Sequence, residues 1–84
     1  MPKFRKKPVV IEAVRWTGDN LAALVAFGDG HVLPVAGEPR QLAILTLDST
    51  AYANVGDWVL RGVKGEFYPC TNEILDATYD EVIA

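Results

Sequence analysis

Apolar and polar positions change period several times along this chain, and the changes mark its elements. Residues 9–16 are rich in β-branched side chains and predict a strand. One of its faces reads Val9, Ile11, Ala13, Arg15; the other reads Val10, Glu12, Val14, Trp16. Both faces are partly apolar, which suits a central or barrel strand better than a one-sided edge. Thr17-Gly18-Asp19-Asn20 then breaks the strand and offers Asp19 as a helix N-cap. Leu21, Leu24, Val25 and Gly28 follow at helical spacing, predicting about two turns closed by Gly28 or Gly30 in the left-handed conformation. Residues 31–35 form a short run interrupted by Pro34, hence an edge strand. Residues 36–40 read as a loop, 41–47 as a strand, 48–50 as a turn and 51–53 as a brief return strand.

The densest turn chemistry lies in residues 55–70. Gly56-Asp57 turns the chain in, 58–63 is a strand, Lys64-Gly65 is a two-residue turn and 66–70 is the return strand. Gly65 supplies the positive φ that such a turn needs. Thr71 caps a second helix, with Glu73 and Asp76 placed to suit its dipole and with Ile74, Leu75 and Thr78 toward the core. The tail 79–83 alternates and reads as a last strand, with Tyr79 and Ile83 on one face. Six or seven short strands and two short helices predict an α+β fold. Its frame is a small, curved, mostly antiparallel sheet or partly open barrel.

Length and composition narrow the function classes. Eighty-four residues make one domain with a small core, for which self-association into a homo-oligomer offers further apolar burial. Half the residues are apolar, which argues against disorder. Cys70 is the single cysteine, so a disulfide within the chain and a cysteine-based zinc site are both excluded, and a reducing cytoplasm is expected. The longest apolar runs fall far short of the roughly 20 residues of a membrane span.

The net charge of −3 is unevenly spread. Lys3, Arg5, Lys6 and Lys7 form a basic patch at the start, and Glu66, Glu73, Asp76, Asp80 and Glu81 follow the last basic residue, Lys64. Such ends can face each other within the fold, pair between subunits or present a cationic patch to an anion.

Three segments are similar to a widespread group of small uncharacterised phage and prophage proteins. They are RKKPVVIEAVRW at residues 5–16, GDWVLRGVKGEFYPC at 56–70 and Thr78-Tyr79. The resemblance runs along nearly the whole chain apart from residues 31–40. It implies a phage source and a role in the infected cell, and it carries no activity or catalytic residues to transfer.

The residues themselves give no catalytic signature and no metal-ligand spacing. Cys70 and His31 are each single, and read as a small buried hydrophobe and a surface residue rather than as a nucleophile pair. Asp19, Asp29, Asp48 and Asp57 stand in turns or beside glycine, where aspartate serves the backbone. A basic and aromatic face of the kind that binds single strands could be assembled. A pI near 4.9 argues against nucleic acid, because phosphate contacts supply most of that affinity. The expectation is therefore a phage accessory protein in the host cytoplasm that works without catalysis or cofactor. Its partner is a host protein or a small anionic, nucleotide-like signal. The alternative is a nucleic-acid-binding or minor virion-assembly protein. For an anionic ligand, Arg61, Lys64 and Arg15 are the candidate phosphate contacts, and Trp58 and Tyr68 the candidate stacking surfaces.

Overall fold

The computed structural model describes residues 1–4 and 9–82. The predicted basic patch therefore lies largely outside the described residues, with Lys3 inside them and Arg5, Lys6 and Lys7 not. The element order is β1 (Glu12–Arg15), α1 (Leu21–Gly28), β2 (Val32–Val35), β3 (Glu38–Leu45), β4 (Thr50–Asn54), β5 (Trp58–Arg61), β6 (Phe67–Cys70) and α2 (Asn72–Thr78). The strands form two three-stranded antiparallel sheets, β1-β5-β6 and β2-β3-β4. This is the α+β fold with small antiparallel sheets, and the two sheets do not close into a barrel.

The core lies between the sheets. Val32, Leu42, Ile44 and Ala53 come from one sheet, Val59 and Phe67 from the other, and Trp16 and Leu24 complete the cluster. Trp16 follows β1 and binds the link between the sheets: its N–H donates to Asp57 O at 2.8 Å and its carbonyl accepts from Gly56 N at 2.7 Å. Its indole Nε1 reaches the other sheet and donates to Arg40 O at 3.0 Å.

β1 is an edge strand, shorter than the predicted 9–16. Its two apolar faces have another cause than a central place in a sheet. Val14 packs on the core, whereas Ala13 lines a groove on the opposite side of the same sheet. The Pro34 strand, β2, is an edge as predicted.

Most of the predicted loop 36–40 is strand. A tight turn at Ala36-Gly37, with Gly37 at φ 77, brings Glu38 opposite Val35. The register shifts between Pro34, opposite Leu42, and Val35. The extra β3 residues bulge there, so Pro39 need not donate to a ladder. β3 ends at Leu45, where Thr46 closes a turn with Ser49 through N–H and hydroxyl bonds of 2.9 Å to its carbonyl.

Asn20, not Asp19, is the N-cap of α1, and its side chain does not cap the helix. It holds the preceding turn instead, accepting from Thr17 N at 3.0 Å and donating to Arg15 O at 2.8 Å. The left-handed residue ending α1 is Asp29 at φ 46, followed by Gly30 at φ 86. Gly28 is the last helical residue, and its smallness serves packing: an added Cβ would run into the Val32 side chain.

The hairpin turn differs by one residue from the predicted Lys64-Gly65 pair. Gly62 N donates to Glu66 O at 2.8 Å, and Gly65 N donates to Gly62 O at 3.0 Å. The loop is thus Val63-Lys64-Gly65, a turn finished by Gly65 at φ 80. Glu66 sustains it by accepting from Lys64 N at 2.9 Å, its carboxylate lying over Gly62 where a Cβ would collide with it.

Thr71 caps α2 as predicted, accepting from Ile74 N at 3.3 Å. Of the residues expected to face the core, Ile74 and Thr78 are exposed and only Leu75 is half-buried. Glu73 lies in the first turn, but Asp76 falls in the last turn of this short helix. The predicted last strand is not formed over residues 79–82, and Ile83 lies outside the described residues. Tyr79 N–H is spent on Leu75 O at 2.9 Å, capping α2, and the tail runs along the groove rather than beside a strand.

Candidate functional site

Side chains alternate across a strand, so Trp58 and Leu60 face one way and Val59 and Arg61 the other. Val59 belongs to the core between the sheets. Trp58 and Leu60 therefore point to the outer face, where Arg15 and Ala13 stand opposite them on β1 and Cys70 and Tyr68 on β6. That face carries a groove of about 420 Å³. Val9, Val10, Ile11 and Ala13 form one wall, Leu75, Asp76 and Tyr79 the other, with Trp58 between them and Asp80, Glu81 and Val82 along the tail. A shallower hollow shares Val9, Ile11 and Tyr79 with it and extends toward Tyr68, Val63 and Glu66.

Trp58 is held from two sides. Its Nε1 donates to Asn72 Oδ1 at 3.0 Å, which ties it to the start of α2. The Arg15 guanidinium lies 5.8 Å from its ring centroid and is itself fixed by donating Nε–H to Gly56 O at 3.1 Å. Half-buried and anchored, the indole is a rigid wall rather than a mobile surface ring.

Trp58, Tyr68 and Arg15 thus share the outer face. The other two candidate residues stand apart from them. Arg61 lies on the inner side of the sheet, with its guanidinium 5.6 Å from the Phe67 ring centroid and Glu12 opposite it in register. Lys64 is exposed at the hairpin tip. The three cations do not converge on one point. Acidic residues border the groove instead: Asp76, Asp80 and Glu81 line it, and no basic residue does so among the described residues.

Two ionisable groups on this face are shifted. The Tyr68 phenol is pushed up to about 12, first by burial, then by Tyr79 beside it, and further by Glu66 and Cys70. Burial also pushes the Cys70 thiol up, with the Asp57 carboxylate adding to it. Both groups are held in the neutral, protonated form at neutral pH. Cys70 Sγ donates to Thr71 O at 3.4 Å on the outer side of the sheet. His31 lies on the inner side, stacked on Phe67 with ring centroids 5.3 Å apart. The sheet separates the two residues that could have formed a thiol–imidazole pair.

No family model, curated protein or solved structure matches this chain. Among the described residues, no three His, Cys, Asp or Glu side chains gather as a metal site would require. Among the same residues, no helix is long and apolar enough to cross a membrane.

The groove walls from residues 9–11 and 75–82 are absent from the candidate ligand-binding residues Arg61, Lys64, Arg15, Trp58 and Tyr68. One signal was present: the run of acids after Lys64 marked a charged surface. Its meeting with Trp58 required the path of the chain after α2.

Proposed function

We propose that this chain is a small phage accessory protein that acts in the host cytoplasm by binding a host protein, without catalysis. The observation that carries the reading is the anchored Trp58 in a groove that it lines together with Val9, Val10, Ile11 and Leu75. Binding energy in protein interfaces concentrates on aromatic side chains seated centrally in pockets, and an already ordered side chain loses little freedom on binding. The phage setting comes from the sequence resemblance.

A small anionic signal is the less supported partner. Arg15 beside Trp58 offers one cation next to a stacking surface, but Arg61 and Lys64 are too dispersed to join it.

The test is affinity capture from a bacterial lysate with the full chain, Trp58→Ala and Tyr52→Ala. Tyr52 is an exposed aromatic on the other sheet and serves as the control. The expected result is a host protein retained by the wild type and Tyr52→Ala and lost with Trp58→Ala. Leu75→Lys, in the opposite wall, repeats the test should Trp58→Ala fail to fold. Retention unaffected by Trp58→Ala and Leu75→Lys, or no specific retention at all, overturns the proposal.

A further inference from the structure

Among the described residues, the charged side chains that line the groove are of one sign. Asp76, Asp80 and Glu81 line it, and all three are exposed and able to meet a partner. They also sit at the unfavourable end of α2. Carbonyls at a helix C-terminus repel carboxylates, and α2 has no basic residue in its last turn to offset them. Their position is not accounted for by helix stabilisation. Around them the groove keeps apolar side chains in water, including Val10 at 78% exposure and Val82 at 72%.

Resting on the reading that this groove binds a protein partner, we infer that the partner enters it as a cationic amphipathic segment. Its apolar side chains pack against Trp58, Leu75 and Ile11, and its lysines or arginines meet Asp76, Asp80 and Glu81. The three carboxylates disfavour a phosphate-bearing ligand in the same place, by like-charge repulsion. The charge pattern also divides the labour of binding. The apolar contacts supply most of the affinity, and the exposed pairs supply selectivity of about tenfold together, diminished by salt.

The full chain provides its own reporter, since its two tryptophans sit in different places. Trp58 lines the groove, with its indole N–H bonded to Asn72 Oδ1, and the Trp16 indole N–H is buried against Arg40. Nitrogen-15-labelled protein is titrated with a synthetic peptide alternating lysine and leucine, and with a glutamate–leucine peptide of the same length. The lysine peptide is expected to shift the Trp58 indole resonance and leave that of Trp16 in place, while the glutamate peptide moves neither. In the variant Asp76→Asn/Asp80→Asn/Glu81→Gln the lysine peptide should bind about tenfold more weakly. The variant's melting temperature should be unchanged or raised, because the removed charges oppose the helix dipole. Equal binding of both peptides, or undiminished binding by the triple variant, overturns the charge inference and leaves the docking site standing. If neither peptide moves the Trp58 indole while a host protein is still captured in a Trp58-dependent way, the inference falls alone. If that capture fails as well, both fall.

Discussion

The indole Nε1 of Trp16 donates to the carbonyl of Arg40 at 3.0 Å, a bond from the end of β1 to the opposite sheet. Arg40 can accept it because it lies in the register shift of β3, outside the paired residues of either ladder. A bulge beside Pro39 thus leaves a carbonyl available at the place where a buried indole needs a partner. Trp16→Phe removes the bond and leaves space in the core. The expected loss is about 2 kcal/mol of unfolding free energy, measured by urea denaturation. A loss below about 0.5 kcal/mol, the range of ordinary surface substitutions, would show that the bond and the packing are dispensable.

Gly28→Ala tests a relation that helix propensity alone predicts with the wrong sign. In an exposed helix interior, alanine is favoured over glycine by about 1 kcal/mol. Here the new Cβ meets the buried Val32 side chain, which has no room to withdraw. The substitution should therefore destabilise by about 1–3 kcal/mol, the range for overpacking. Combining it with Val32→Gly, which removes both the Cβ and the methyl that the new Cβ would meet, should recover part of that loss in a double-mutant cycle. Additive effects would place the conflict elsewhere.

The Tyr68 phenol gives the chain an alkaline limit. Its folded value of about 12 lies above the ordinary 10.0, so the folded chain keeps a proton that the unfolded chain has already released. Stability from this group is intact below pH 10 and is lost as the pH rises toward 12. Tyr68→Phe should flatten the decline of stability across that window. An absorbance titration should show one of the three tyrosines ionising late in the folded protein. Phenolates that all appear near the ordinary value would contradict the assignment.

Cys70 should be a poor nucleophile. Its thiol is raised by burial and by Asp57, and the thiolate is the reactive form. Alkylation at neutral pH should run more slowly in the folded chain than in urea, and Asp57→Asn should speed the folded reaction modestly. Equal rates in the folded and unfolded chain would refute the shielding.

Much of the fold was legible in the sequence because its signals were local. Pro34 marked an edge, Thr71 a helix start, and Gly56-Asp57 the entry to β5. What escaped was the phase between elements. A two-residue turn at Lys64-Gly65 sets Tyr68 opposite Arg61, whereas the three-residue loop sets Phe67 there and Tyr68 opposite Leu60. One residue of loop length moves every side chain of β6 to the other face. Parity also separates Trp58 from Arg61, which are three positions apart on one strand. The anion-binding site expected from Arg61, Lys64, Arg15, Trp58 and Tyr68 therefore divides between two faces and a loop tip. The groove could not be read from any single segment, because residues 9–13, Trp58 of β5 and residues 75–82 meet only in the fold.

Glu12 pairs with Arg61, so the β1–β5 ladder joins residues far apart in the sequence, whereas β2, β3 and β4 follow one another as a meander. Loop-closure entropy favours the meander as the earlier structure and delays the long-range ladder. The groove, walled by residues 9–13 and 75–82, is then the last feature to assemble. Pulse-labelled hydrogen exchange during refolding should show amides of β3 and β4 protected before those of β1, and the opposite order would contradict this sequence of events. A nascent chain leaving the ribosome would complete this groove only after residues 75–82 had emerged to meet residues 9–13.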